Sequence, residues 1–349
     1  QGTVLSVTTN GATHPSAQTF VRGSSQVLVS AFRFSNGAGE IQRVTRVKLE
    51  LGGTSVAATD LSNVTMYKYD PDTGTETQIG SPAAFVGTFA TYGINTTPTL
   101  DTGLFDIAKN KNYIVHVRAD ITTSAVNTHT LIIFMEEVRV DGVQSKADIG
   151  AATITAVDTA AEVMSTGHSL ANSGTLTMSA APGNPSAQNI VPGKTDFEFL
   201  RIDFTMANEA ATLSAVTVNL YDGAVGTSGT DGTAESGDFT NVKLWDVTAG
   251  TKTQLGNSVA SPTASASFNF NLQIGKDKTA TLVVSADVPT SAYNSAWSAS
   301  TASVGMDLAL TTTGVSSAAD ITDPSADTIS NHMTAAVETF TVSFQTVPS

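Results

Sequence analysis

Apolar and polar residues alternate along most of this chain with a period of two. Val27-Leu28-Val29-Ser30-Ala31-Phe32-Arg33-Phe34 and Val44-Thr45-Arg46-Val47-Lys48-Leu49-Glu50-Leu51 place every second side chain on one face. Val242-Lys243-Leu244-Trp245 and Ala280-Thr281-Leu282-Val283-Val284 do the same. That period predicts half-buried strands. Ser35-Asn36-Gly37, Gly52-Gly53, Asp72-Thr73-Gly74 and Ala249-Gly250 supply turn signals between the runs, at the spacing of an antiparallel sandwich. Helical periodicity is almost absent. Asp158 could cap a short helix through Val163, with Asp323-Pro324 as a counterpart cap and first-turn proline; the alternative is an extended connector.

The pattern occurs twice. Pro15-Ser16-Ala17-Gln18 returns as Pro185-Ser186-Ala187-Gln188, and Gly23 as Gly193. Gly2-Thr3-Val4-Leu5-Ser6 aligns with Gly174-Thr175-Leu176-Thr177-Met178, and Leu61 to Tyr67 with Phe239 to Trp245. Ile107-Ala108-Lys109-Asn110-Lys111 aligns with Ile274-Gly275-Lys276-Asp277-Lys278, and Val117-Arg118-Ala119-Asp120 with Val284-Ser285-Ala286-Asp287. Collinear matches of this kind predict an internal duplication. The expected fold is all-β: two tandem antiparallel β-sandwich domains, Ig-like or jelly-roll-like, over residues 1–170 and 171–337.

A third partial copy comes after the second. Gly167 to Ser173 aligns with Asn331 to Val337, histidine on histidine, which makes residues 338–349 an orphan strand: Thr339, Phe340, Thr341, Val342, Ser343, Phe344. Its Phe340, Val342 and Phe344 share one face. It either closes the second domain or begins a further repeat, or it pairs into a neighbouring subunit as a donor strand, with Gln1 to Val7 as the alternative donor. A tail-to-surface contact of that type builds an open homopolymer.

Composition narrows the chemistry. The chain has 349 residues, a formal net charge of -14 and no cysteine, so disulfides, thiol catalysis and cysteine metal sites are excluded. An acidic chain without basic runs is a poor partner for nucleic acid. No apolar run is long enough for a membrane-spanning helix. The 53 Thr and 35 Ser make up a quarter of the residues, which favours strands and turns.

Candidate chemistry is sparse. His14, His116, His129, His168 and His332 show no metal-ligand spacing, and His116 is expected on a strand, facing solvent or a neighbour. Glu136-Glu137, adjacent on a strand, should point to opposite faces, the wrong geometry for a glycosidase pair; no enzymatic activity is expected. Calcium is the one cofactor with support. Asp70, Asp72 and Glu76 space acidic oxygens around a glycine turn, and the insertion at 223–238 brings Asp222, Asp231, Glu235 and Asp238 into a Gly-rich stretch. These resemble part of a calcium loop, or simply polar turns. Asn63 and Asn95 head N-glycosylation sequons, although Asn63 recurs as Asn241 without one, which points to a structural role.

The segments Asn241-Val242-Lys243-Leu244-Trp245-Asp246, Ile107 to Asp120 and Ile274 to Asp287 resemble the Thr/Ser/Gly-rich, cysteine-free β-sandwich repeats of secreted prokaryotic surface-layer and extracellular filament proteins. The resemblance implies an extracellular or cell-surface structural subunit, joined to copies of itself by strand exchange. The alternative is a carbohydrate- or cell-surface-binding adhesin module, for which exposed Trp or Tyr would be needed. Trp245, inside an alternating strand, is assigned to the core.

Overall fold

A computed structural model describes residues 5–37, 39–93, 103–151, 153–154, 167–223, 232–233, 239–263, 265–290, 303–324, 331 and 333–335. In the Gln42–Gly52 strand Val47, Leu49 and Leu51 are buried while Arg46 and Lys48 lie outside, the alternation of the pleat; Val44, three residues before Val47, is buried as well because the pairing shifts between Val44 and Arg46. The described residues form mainly antiparallel sheets with no α-helix, only a 3-10 turn at Ala58–Asp60. The chain divides into two compact units, Gln1–Ser173 with Ser316–Ala318, and Gly174–Val315 with Ala319–Ser349.

In the first unit one sheet runs in the order Thr153–Ile154, Ser6–Thr9, Val27–Ser35, Asn112–Ile121, Leu61–Asp70, Thr75–Ala83. The facing sheet runs Thr19–Val21, His168–Ala171, Thr130–Gly142, Gln42–Gly52, Phe89–Gly93. Phe32, Phe34, Met66, Val115 and Val117 from the first sheet meet Val44, Val47, Leu49, Leu131 and Met135 from the second in one core. Each large side chain buried there contributes about 1.5–3 kcal/mol.

In the second unit the order is Thr175–Ala180, Phe197–Ala207, Thr279–Asp287, Thr240–Asp246, Thr253–Val259. A second sheet is built on Ala211–Gly223 and Ser303–Gly314, with Ser265–Ile274 on the former. These five strands pair in the same order as Ser6–Thr9, Val27–Ser35, Asn112–Ile121, Leu61–Asp70 and Thr75–Ala83 of the first unit, with no described counterpart to Thr153–Ile154. The short parallel pair of Thr19–Val21 with His168–Ala171 also recurs, as Asn189–Ile190 with Thr334–Ala335.

The ladders correct two sequence registers by one residue. Val7 pairs with Phe34, and Met178 with Phe204, so Leu5 and Val7 correspond to Leu176 and Met178, apolar on apolar. In the closing strand Ser169 and Thr334 occupy equivalent places, which sets buried Met333 rather than His332 in the place of buried His168. Burial decides both, because a one-residue slip would turn each strand's apolar face to water. The expected caps fare differently. The segment from Asp158 is outside the described residues; Asp323 accepts the backbone N–H of Leu310 at 3.0 Å, and residues 325–330, where its helix would lie, are outside them too.

Glu136 and Glu137 also need correction. A bulge between Met135 and Glu137 interrupts the pleat, and both carboxylates emerge on the outer face, Glu136 beside Lys48 at 3.6 Å and Glu137 beside Arg46 at 3.4 Å and Arg139 at 2.6 Å. An extra residue re-aims the side chains beyond it, which simple alternation does not anticipate.

A second bulge is built twice. Asn63 and Asn241 have left-handed φ of 47 and 55° at the shift in pairing between their strand and the next. Each side-chain amide donates to an aspartate on that neighbour, Asn63 to Asp120 Oδ2 at 2.7 Å and Asn241 to Asp287 Oδ2 at 3.0 Å. The other oxygen of each aspartate accepts a backbone N–H, from Gln26 and Asp196, both at 2.7 Å. Asparagine tolerates the left-handed conformation and supplies the donor at once. Asn63→Ala should lose both advantages and cost about 2–3 kcal/mol, while Asn63→Gly should cost only about 1 kcal/mol through the lost hydrogen bond. Urea midpoints for the two variants check this; equal losses would show that the backbone conformation is not what selects asparagine.

Candidate functional site

The site is built on the outer face of the first unit's Asn112–Ile121 sheet. Val115, Val117 and Ala119 face the core, so Ile114, His116, Arg118 and Asp120 point away from it. Pairing places Thr8, Arg33, Ile114, Tyr69 and Glu76 in one row across five strands. The next row on this face sets Ala31 beside His116 and His116 beside Tyr67.

Over this face lies the turn at 10–14. The Asn10 N–H donates to the Ala31 carbonyl at 2.9 Å, and His14 Nδ1 accepts the Ala31 N–H at 3.2 Å. Burial, with His168 nearby as a lesser influence, holds the pKa of His14 below the usual histidine value. Asn10 Nδ2 donates to Thr13 Oγ1 at 2.5 Å, and Thr13 Oγ1 lies 2.9 Å from His116 Nε2. His116 Nδ1 is 2.6 Å from Glu76 Oε1, and Tyr69 stacks on the imidazole at a centroid distance of 4.3 Å. His116 is therefore buried although it points outward; of the two expected surroundings for this strand residue, solvent or a neighbour, it meets the neighbour.

Glu76 is the hub. Besides His116 it takes a two-point contact from Arg118, at 2.8 and 3.0 Å. Burial alone would raise its pKa, but the Arg118 and His116 hydrogen bonds outweigh that and lower it. Arg118 continues to the Gln26 carbonyl at 2.8 Å, and Gln26 to the Tyr67 hydroxyl at 3.1 Å.

Thr13, His116 and Glu76 follow one another as a nucleophile, base and orienting acid would. Two observations favour a clasp for the turn. The backbone N–H groups of Thr13 and His14 both donate to the Asn10 carbonyl, so neither is free to stabilise an oxyanion. Arg118 also shares the Glu76 charge that would have to support an imidazolium.

Beside the clasp opens a cavity of about 440 Å³ lined by Asn10, Arg33, Lys68, Tyr69, Asp70, Pro71, Asp72, Asn112, Tyr113 and Ile114. Lys68 Nζ sits 5.0 Å from the Tyr113 ring centre, and Tyr113 stacks on Phe105 at 4.5 Å. Burial, with a smaller effect from Asp106, pushes the Tyr113 hydroxyl up to about 12. Asp70 closes the turn by accepting the Asp72 N–H at 3.0 Å; that bond, followed by Thr73, holds its pKa down.

Of the acidic residues considered for calcium, Asp70 and Asp72 meet in this cavity while Glu76 is turned to Arg118 and His116. Asp222 is a strand residue opposite Gly232 and Val304; Asp231, Glu235 and Asp238 lie outside the described residues. Among the described residues no group of three or more His, Asp or Glu is placed to hold a metal ion. Asn63 is exposed, with its amide nitrogen on Asp120, and Asn95 lies outside the described residues, as do Thr339, Phe340, Thr341, Val342, Ser343 and Phe344. Trp245 is not a core residue. Val242 and Leu244 fill the core, and Trp245 takes the opposite face, donating to Ser285 Oγ at 2.8 Å with Lys252 4.4 Å from its ring. Sequence reasoning did not single out Arg33, Lys68, Tyr69 or Tyr113. A charged residue at an outward position of an otherwise apolar strand, as Arg33 is, was the available signal.

No protein family profile matches the chain, and no curated protein matches it. Among solved structures it is similar to the B domain of a biofilm associated protein, at 11% identity over 91% of this chain and 83% of that one, TM-score 0.22. A fucolectin from striped bass (Morone saxatilis) serum matches at 9% identity over 76% and 85%, TM-score 0.18. The serine-rich repeat protein Srr2 of Streptococcus agalactiae matches at 11% identity over 91% and 89%, TM-score 0.18. Similarity of this order carries no inference to the present chain. Among the described residues no helix is long and apolar enough to cross a membrane.

The clasp predicts a measurable cost. Glu76→Ala removes the shared acceptor of His116 and Arg118 and should destabilise the first unit by about 2 kcal/mol, the size of a lost hydrogen bond to a charged group. Because the folded pKa of Glu76 is depressed, its contribution is full above the ordinary glutamate range and fades as pH falls through the folded value. Denaturant melts of wild type and variant should therefore differ at neutral pH and converge in acid; a constant difference at all pH values would show that the Glu76 charge is not responsible.

Proposed function

We propose that the chain is an extracellular or cell-surface protein, assembled from two copies of one sandwich, whose first unit is a saccharide-binding module of adhesin type. The observation that supports this is the cavity beside Tyr69. Two tyrosine rings, two carboxamides, two carboxylates and two cations converge on about 440 Å³, within the roughly 300–1,000 Å³ of small-molecule sites. Tyrosine offers a flat apolar surface for a sugar ring, and Asn and Asp offer partners for hydroxyls. No catalytic step belongs to this reading. A panel of cell-surface and matrix saccharides, neutral and acidic, immobilised and probed with the purified chain, tests it. At least one should bind, and none binding would overturn the assignment. The same panel in chelator tests calcium at Asp70 and Asp72: weaker binding and a lower melting temperature are expected if the ion is held there, and no change in either would remove it.

A second reading keeps the strand-exchange filament. It is favoured by the one-sided apolar stripe of Phe340, Val342 and Phe344, which is an aggregation hazard unless covered. Truncation after Val337 should then abolish polymers seen by negative-stain microscopy while leaving the fold intact. Filaments of normal length from the truncated chain would exclude the C-terminal donor, and unfolding of the second unit would show that the strand closes its own sandwich.

A further inference from the structure

Arg33 is the odd member of the cavity wall. It is exposed, and among the described residues its guanidinium makes no ion pair or side-chain hydrogen bond, whereas Arg43, Arg46, Arg118, Arg139 and Arg201 all face a carboxylate. In a chain with 31 acidic side chains against 17 basic ones, an arginine left without an acid is a free position for one. Lys68 is different, since Asp70 is close enough to feel its charge and Tyr113 lies under its ammonium. The cavity therefore contains one cation with its fork of donors unused.

The row pairing gives this fork a geometry. Arg33 and Tyr69 lie on either side of Ile114 in the same cross-strand row, two strand spacings or about 10 Å apart at their backbones. Tyr69 gives one ring face to His116, and its place in the Glu76 clasp holds the ring in position. A pyranose lying against Tyr69 would bring a carboxyl substituent towards Arg33 and its hydroxyls towards the Asn10 and Asn112 carboxamides. Asp70 and Asp72 on the other wall accept hydroxyls too, but they repel a ligand carrying several negative charges close together. A single carboxylate on a polyhydroxylated ring satisfies both walls, and a planar carboxylate is the anion that a guanidinium meets with two parallel hydrogen bonds.

We propose that the cavity binds a saccharide bearing a carboxylate, a uronate or a sialate, with Arg33 as its carboxylate receptor. The proposal rests on the saccharide-binding reading above and names its ligand class. Binding of the full chain is measured by calorimetry to trigalacturonate and its methyl ester, and to 3′-sialyllactose and lactose. The acidic member of at least one pair should bind at least tenfold more tightly than its neutral partner, and the pair that shows it identifies the uronate or the sialate. Arg33→Gln should abolish that preference, bringing affinity for the acid down to that for its neutral partner; Arg33→Lys, which keeps the charge but not the fork, should restore only part of it. Melting temperatures of both variants should match wild type, since no protein contact of the guanidinium is lost. Equal affinity for acid and neutral partners, or an acid preference that survives Arg33→Gln, overturns the role of Arg33. If neutral sugars bind and acids do not, this inference fails while the saccharide reading stands; if the whole panel is silent, both fail.

Discussion

The structure of the first unit hangs on the register between the Leu61–Asp70 and Asn112–Ile121 strands, pinned by the left-handed Asn63 and its hydrogen bond to Asp120. Strand faces alternate with a period of two, so a slip of one residue in the Leu61–Asp70 strand would send Met66 outward and Tyr67 and Tyr69 into the core. The pin does not act by strength alone. It combines a backbone conformation that few residues accept with a side chain long enough to reach one aspartate, whose other oxygen holds the Gln26 N–H. The second unit repeats the arrangement at Asn241 and Asp287. The outer faces differ where the pin is shared: beyond it the face carries Tyr67, His116 and Arg118 in one unit and Trp245, Val283 and Ser285 in the other.

Charge placement explains why the outer face of the first unit has a cavity with character. Several other cations of the unit are spent locally, Arg118 on Glu76 in the same sheet and, in the facing sheet, Arg46 and Lys48 on the bulged Glu137 and Glu136 and Arg43 on Asp106. Pairs of this sort at the surface contribute little stability each, but they remove attraction for outside anions. Against that background the unpaired guanidinium of Arg33, set in the cavity wall, is a specific feature. The clasp of Asn10, Thr13, His116 and Glu76 ties down one wall of the cavity, which would lower the ordering cost of the proposed ligand.

Burial also sorts the histidines. His168 is enclosed, donates its Nε2–H to the Val29 carbonyl at 3.0 Å, and has its pKa lowered by that burial. Its equivalent in the second unit is Met333, so the position needs volume more than it needs imidazole. His116, by contrast, uses both ring nitrogens. Two histidines in alternating runs of the same sequence are thus a packing residue and a network residue, and only their neighbours distinguish them.

Alternation, turn residues and the repeated segments were enough to establish an all-β chain, because the pleat converts a period of two directly into faces. They also marked Asn63 as structural, since its partner Asn241 recurs without a sequon. What they could not supply was anything that depends on counting across strands. The bulge at Met135 and Glu137 moved two carboxylates to one face, the ladders shifted Leu5 and Met333 by one residue, and parity put Trp245 outside although it looked like a core residue. The cavity was beyond local reading for the same reason: Asn10, Arg33, Tyr69 and Asn112 are far apart in sequence and become neighbours only through pairing. Local pattern determines which way a side chain points within its own strand, and only the register between strands determines what it meets there.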